Sequence, residues 1–370
     1  MSRMVAACDE CLRRTWLIER VSGYLEYQRR RVEDILSVED RMLIELWREV
    51  AERRGTEDRL ESEYREFRPQ QADAQRKRAQ AAGLDLICAC DPAYPRRLRR
   101  LFGPPAVLHV AGGMERFLEL SRTDPVAIVG TRRPTIYGTD VAQQLGRGVS
   151  VSGLCVVSGM AVGIDAAAHR GALAGGGRTI AVLPGSAGEP YPRANAQLYR
   201  QLLRYGVAIS EMGPGAAVRK WTLTARNRVI AALSELTIVV QGKAGSGALS
   251  TARLARGVGC RLGAVPGSVL VSHSEGPHGL LRDGAILIRN PQDVLDALFG
   301  GGSRELLDPV LNGLRDEQRA VLQAIQSGAD TLALLASKAV GDGDVLALVA
   351  ELELAGCVRR VTGGRYVVTA

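Results

Sequence analysis

The apolar positions in the middle of this chain fall in short, unbroken runs. Four stand out: VAIV from Val126, CVV from Cys155, TIAVL from Thr179 and TIVV from Thr237. Runs this short and without alternation predict strands covered on both faces of a sheet. Longer helical stretches separate them, which predicts parallel βαβ units. Each run empties into a turn rich in small or basic residues, namely GTRRP, SGMAVGID, PG and QGKAGSGALSTA. Ligands of such sheets sit at the carboxyl ends of the strands, so these turns gather along one rim.

The two ends of the chain follow other patterns. Residues 1–80 are polar and helical in period, with mixed-charge runs such as YREFRPQQADAQRKRAQ. A glycine-rich break at Gly300–Ser303 precedes a last region over 305–370. There DEQRAVLQAI and VLALVAELELAGCV read as helices, and RRVTGGRYVVT as a hairpin turning at Gly363–Gly364. Helix, helix and wing predict a winged-helix module. Its implied recognition helix, Asp344–Leu354, carries Asp344, Glu351 and Glu353 and no basic residue. Such a helix suits protein contact or self-association better than phosphate.

The rim has the chemistry of an anion site. Gly130, Gly159 and Gly247 let backbone amides come close to a phosphate, and helix N-termini carry partial positive charge. Arg132 and Arg133 add full charges with planar, forked donors. Ser158, Ser246 and Thr251 offer hydroxyls that can cap a helix or meet an anion, and Lys243 stands beside them. The stretch ARNRVIA brings Arg226, Asn227 and Arg228, with Lys220 just before it. Several loops converging on one anion fit a phosphodiester backbone better than one small phosphate.

Charge sharpens that picture. The 370 residues carry a net charge of +8, enough length for two or three domains. Residues 123–298 hold 18 basic and 10 acidic side chains, whereas 1–122 hold 23 and 21 and 299–370 hold 7 and 9. A basic excess confined to the segment with the rim is the footprint of nucleic-acid binding.

Other chemistries are less well supported. Asp165 and His169 are spaced i, i+4 on one helix, and local packing beneath the rim explains them more simply than an acid–base pair. Gly242–Lys243 lacks the P-loop spacing, and GTRRPTIYG is no GxGxxG, so neither ATP nor NAD is expected and no cofactor is assigned. Cys8 and Cys11 form a CxxC without a second CxxC; Cys88 and Cys90 are distant and spaced by one, so no metal is expected. No apolar h-region opens the chain and no run of about 18 apolar residues occurs, so neither a signal peptide nor a membrane span is expected. Seven scattered cysteines point to a reducing cytoplasm.

Taken in order, the motifs resemble the DNA-processing protein A (DprA or Smf) family. They are VAIVGTRRP at 126–134, SGMAVGIDAAAHRGAL at 158–173, Tyr191–Pro192, SEMGPG at 210–215 and ARNRVIAALS at 225–234. SGALSTA at 246–252, AVPG at 264–267 and GLLRDGA at 279–285 complete the series. The resemblance is strong over residues 85–298. It implies an extended Rossmann-like core with a helical N-terminal region over 1–80 and a C-terminal winged helix. It implies no known enzyme activity, but a protein that binds single-stranded DNA and loads RecA recombinase in natural transformation, as a homodimer joined through the core. Residues 85–122 resemble the segment by which the family extends its sheet, whereas the glycine hairpin that the family often carries within 1–80 has no match here beyond Gly23.

This chain departs from the family pattern at several positions. Val162 stands where an arginine is common, Leu223–Thr224 where Phe-Pro is common, and Gly259–Cys260 where Gly-Arg is common. Leu223 cannot stack on a base as phenylalanine can, and Trp221, two residues earlier, is the candidate replacement. The alternative class is a nucleotide phosphoribohydrolase of the lysine-decarboxylase-like (LOG) type, but GKAGSGALSTARLA has no acid where that family has a glutamate.

Overall fold

A computed structural model describes residues 7–53, 59–306, 309–337, 344–361 and 363–368. Its centre is a nine-stranded sheet in the order β1-β2-β6-β5-β4-β3-β7-β8-β9. The strands are β1 Asp85–Cys88, β2 Val107–Ala111, β3 Val126–Val129, β4 Val156–Ser158, β5 Thr179–Val182, β6 Val207–Ser210, β7 Leu236–Val239, β8 Arg261–Ala264 and β9 Ile286–Leu287. From β6 to β9 every pairing is parallel, and β2 and β1 extend the β6 edge antiparallel. All four strands expected from the unbroken apolar runs are present, and β3, β4, β5 and β7 are buried along their whole length.

Both sheet faces are covered, which explains why those runs do not alternate. Ala127, Val129, Val157, Ile180 and Ile209 face the helices Lys220–Leu233 and Gly247–Gly257. Val126, Ile128, Val156, Leu236 and Ile238 face the helices Ile136–Val151 and Ile164–Ala174. The chain runs outward from β3 through β4, β5 and β6, then returns to pair β7 on the other side of β3. The strand order therefore reverses beside β3, and the helices after β4 and β7 leave on opposite faces. That reversal opens a crevice above the carboxyl ends of β3, β4 and β7.

The N-terminal region is helical, as its period predicts, from Asp9–Arg20 to Pro69–Ala81. It is not an independent core. Leu17, Val21, Leu25, Val32 and Leu43 pack in one cluster with Met212, Trp221 and Ala225 of the central domain. Trp221 is 1% exposed; its indole N–H donates to Ser22 Oγ at 2.9 Å, and its backbone N–H to Glu26 at 3.1 Å. Removing so large a buried side chain costs about 3–5 kcal/mol. Trp221 is thus a packing residue and not a surface for a base.

The C-terminal region contains helices Asp316–Gln326, Leu332–Ser337 and Val345–Leu354, then a hairpin of β10 Val358–Val361 and β11 Arg365–Val368. The middle helix is an addition to the elements read from sequence. Of the acids on Val345–Leu354, Glu351 is taken by Arg315 and by Gln318 Nε2 at 2.9 Å. Arg359 of the hairpin reaches back to Asp140 of the core at 2.6 Å.

Two histidines are sealed into the central domain. Burial pushes His109 down to about 4 and His169 to about 3. An unfolded imidazole ionises near 6.5, so both contribute stability that is present above that pH and lost as pH falls towards 4 and 3. Glu19 and Asp165, raised by burial, act in the opposite sense. The melting temperature of the His109→Gln/His169→Asn double variant should therefore fall less steeply between pH 6.5 and 4 than that of the parent.

Candidate nucleic-acid interface

The crevice above β3 is a cleft of about 390 Å³. Its walls come from the loops after β3, β4 and β7 and from one face of the Lys220–Leu233 helix. Gln241, buried just beyond β7, ties two of these loops together. Its backbone carbonyl accepts the Thr131 N–H at 2.7 Å, and its side chain exchanges hydrogen bonds with Thr135 at 2.8 and 3.0 Å. Gly130 is confined between them: a Cβ there would lie 2.6 Å from the Ile164 side chain and 2.9 Å from the Gln241 carbonyl.

Beneath the β4 loop lies a buried guanidinium. Arg226 is 9% exposed; its Nη1 donates to the Gly159 carbonyl and to the Val182 carbonyl at 3.0 Å. The Asp165 carboxylate accepts the Gly159 and Ala161 N–H groups at 3.2 and 3.4 Å. Burial pushes Asp165 up while Arg226, the two amides and Arg132 pull it down. His169 is turned away to Thr179 Oγ1 at 2.7 Å. The i, i+4 pair is therefore local packing, as the simpler reading expects.

The expected site residues fall in five different settings. Gly130, Arg132, Arg226, Asn227, Ser246, Gly247 and Thr251 line the cleft. Gly159 lines an adjoining hollow with Arg132, Val162, Tyr191, Leu223 and Arg226. Arg133, Lys220 and Lys243 are exposed beyond the lining. Ser158 is buried, and its hydroxyl donates to the Ile128 carbonyl at 2.7 Å. Arg228 departs most from expectation. It forms a two-pronged pair with Glu211 at 2.6 and 2.7 Å and also donates to the Gly103 carbonyl. The segment is a helix, and residues two apart on a helix point about 200° from each other. Arg226 and Arg228 cannot share a face.

Close approach also needs correction, glycine by glycine. A Cβ at Gly159 would strike Arg226 Nη1 at 1.9 Å, so that glycine serves the guanidinium and not a ligand. Gly247 is different: a Cβ there meets nothing within 4 Å. It opens the Gly247–Gly257 helix at the cleft; the Ser246 carbonyl takes the Leu249 and Ser250 N–H groups at 3.0 and 3.2 Å, which leaves those of Gly247 and Ala248 without an intrahelical partner. Ser246 precedes it without a side-chain cap, its Oγ buried and unpartnered. Thr251 Oγ1 bonds back to the Gly247 carbonyl at 3.3 Å. Arg132 is exposed and has no hydrogen-bond or ion-pair partner among the described residues. Asp165 and Leu223 also line the cleft and Gln241 braces its loops, though none of the three was among the residues expected to hold the ligand.

Comparison with known proteins bears on this geometry. Residues 85–299 match the family model of the DNA recombination-mediator protein A. The chain belongs to that family. It is 39% identical over 216 residues to the DNA processing protein DprA of Bacillus subtilis, covering 58% of this chain and 72% of that one. The X-ray structure of DprA from Streptococcus pneumoniae superposes with a TM-score of 0.61 at 29% identity, over 79% of this chain and 98% of that chain. A structure of DNA processing protein A from Helicobacter pylori, described for its single-stranded DNA binding mode, gives 0.52 at 32% identity, over 59% and 97%. Among the described residues no helix is long and apolar enough to cross a membrane.

The arginines should separate in a denaturation series. Arg228→Ala leaves Glu211 buried and alone, and urea unfolding should show a loss of about 3–5 kcal/mol. Arg132→Ala removes an exposed, unpaired side chain and should stay within about 0.5 kcal/mol of the parent.

Proposed function

We propose that the cleft holds the backbone of single-stranded DNA and that the chain protects such strands and loads RecA recombinase onto them, in natural transformation or in recombination repair. The observation that carries this reading is the convergence of three strand-end loops and a helix N-terminus on one cleft beside the unpaired Arg132. Phosphates would sit against Arg132 and the Gly247–Gly257 amides. Lys220, Lys243 and Arg133 would add positive field from the margins, and Arg226 would act from below through its charge. Leu223 and Tyr191, in the hollow beside Arg132, would give bases an apolar surface. The Helicobacter pylori relative, described by its single-stranded DNA binding mode, supports the same ligand.

The remaining parts complete the proposal. Two copies joined through the core, in the cytoplasm, would align two clefts into a longer track. The C-terminal module, read as a winged helix, would serve contacts with protein. No observation favours a nucleotide hydrolase: Asp165 is the one carboxylate lining the cleft, and loop amides hold it.

Fluorescence anisotropy of a labelled single strand across a salt series tests this. Arg132→Ala should weaken binding for all sequences alike and reduce the slope of log K against log salt by about 0.7. Unchanged affinity and slope would remove Arg132 from the site. Val162, 37% exposed beside Arg132, stands where relatives commonly carry arginine. Val162→Arg should tighten binding and steepen that slope by a similar amount. Gly247→Val should leave the melting temperature near that of the parent yet weaken binding, since its side chain meets only the space meant for the strand.

A further inference from the structure

Four of the seven cysteines meet at the junction between the N-terminal helices and the sheet. The Sγ atoms of Cys8, Cys11 and Cys90 all lie within 4.8 Å of one another, and Cys11 and Cys90 are 3.6 Å apart. Cys88 Sγ lies against the same helix end and accepts the backbone N–H of Cys8 at 3.5 Å. Cys88 and Cys90, distant from Cys8 and Cys11 in sequence, are thus their neighbours in space. Folding β1 beside the first helix removes a separation of about eighty residues.

We propose that Cys8, Cys11, Cys88 and Cys90 form a tetrathiolate site for Zn(II), which fastens the N-terminal helical region to the sheet edge. The backbone arranges both pairs. Cys8 caps the Asp9–Arg20 helix and Cys11 follows one turn later, so their thiols share a face. Cys88 ends β1 and Cys90 lies in the turn that follows, closed by the Asp91 N–H on the Cys88 carbonyl at 2.9 Å. Zn–S bonds of about 2.3 Å in a tetrahedron set thiolates about 3.8 Å apart, close to the Cys11–Cys90 separation. A disulfide needs about 2.05 Å, and all four thiols are free.

The surroundings suit a metal. The helix N-terminus stabilises thiolate charge, and the Cys8 N–H already points at sulfur as an outer-shell donor does. Arg76 holds the segment in place by donating to the Ala7 carbonyl at 2.8 and 3.1 Å and pairing with Asp9. Cys90 is exposed while Cys11 and Cys88 are buried, which leaves a way in for the ion. Coordination would release the thiol protons.

The test uses the full chain, purified under reducing conditions without chelator. Elemental mass spectrometry should find one zinc per chain, and a mercurial thiol reagent should release it to a chromogenic chelator. Exchange with Co(II) should give the visible d–d bands of tetrahedral thiolate coordination. Cys11→Ser and Cys90→Ser should lose the metal, Cys88→Ser should change the Co(II) spectrum, and Cys260→Ser should match the parent. Releasing the zinc should speed tryptic cleavage within residues 7–81 while the central domain stays protected. The proposal is overturned by a chain that holds no zinc and takes up no Co(II). It is equally overturned by a Cys11–Cys90 disulfide in the peptide map, or by bound iron in place of zinc. The mercurial release needs no variant, so a misfolded serine variant leaves the proposal open to refutation.

Discussion

A buried guanidinium organises the rim. Arg226 reaches from the Lys220–Leu233 helix to the carbonyls that end β4 and β5, and so fixes the loop after β4 against the helix that forms the opposite wall. A charge placed there is tolerated only with partners on every side. The carbonyls of Gly159 and Val182, the Asn227 side chain and the nearby Asp165 provide them. Asp165 in turn holds the loop amides. The cleft's shape is therefore a consequence of satisfying one arginine, and its positive potential comes with the same group.

The wall carrying Arg226 is itself held from behind. Trp221 and Ala225, on the face of that helix away from the cleft, lie in the apolar cluster built by the N-terminal helices. Hydrogen bonds from the Trp221 indole and backbone N–H groups to Ser22 and Glu26 fix the start of the helix, just before Leu223. The N-terminal region thus buttresses the cleft without lining it. The buried Arg228–Glu211 pair anchors the same helix to the loop after β6. Trp221, Ala225 and Arg228 share one face of the helix, and their contacts leave it little freedom to retreat from the cleft.

Much of this was legible in the sequence where the signal is local. The unbroken runs at Val126, Cys155, Thr179 and Thr237 located the central strands, and the turns after all but the Thr179 run located the cleft. The β6 strand is equally buried, and β8 is buried from Leu262 onward, but neither was among the four leading runs. The misplaced residues share a cause. Arg226 and Arg228 were expected together on the rim and Trp221 as a stacking surface, but a helical period of 3.6 puts Trp221 and Arg228 on one face, turned away from Arg226. Ser158 looked like a rim hydroxyl, but the strand hydrogen-bonds it inward. The cysteines failed for the opposite reason: nothing in a spacing of about eighty residues records that β1 docks beside the first helix.

The glycines of the rim have an evolutionary consequence. Gly130, Gly159 and Gly163 are each held by protein atoms that a Cβ would strike within 3 Å. A descendant that had lost its ligand would keep all three, because folding alone selects for them. Their presence in a distant relative therefore testifies to the fold and is silent about the ligand. Gly247, whose missing side chain meets empty space, is free to drift once nothing occupies that space. Among homologues of this chain, that single position would act as a fossil record of whether the cleft is still in use.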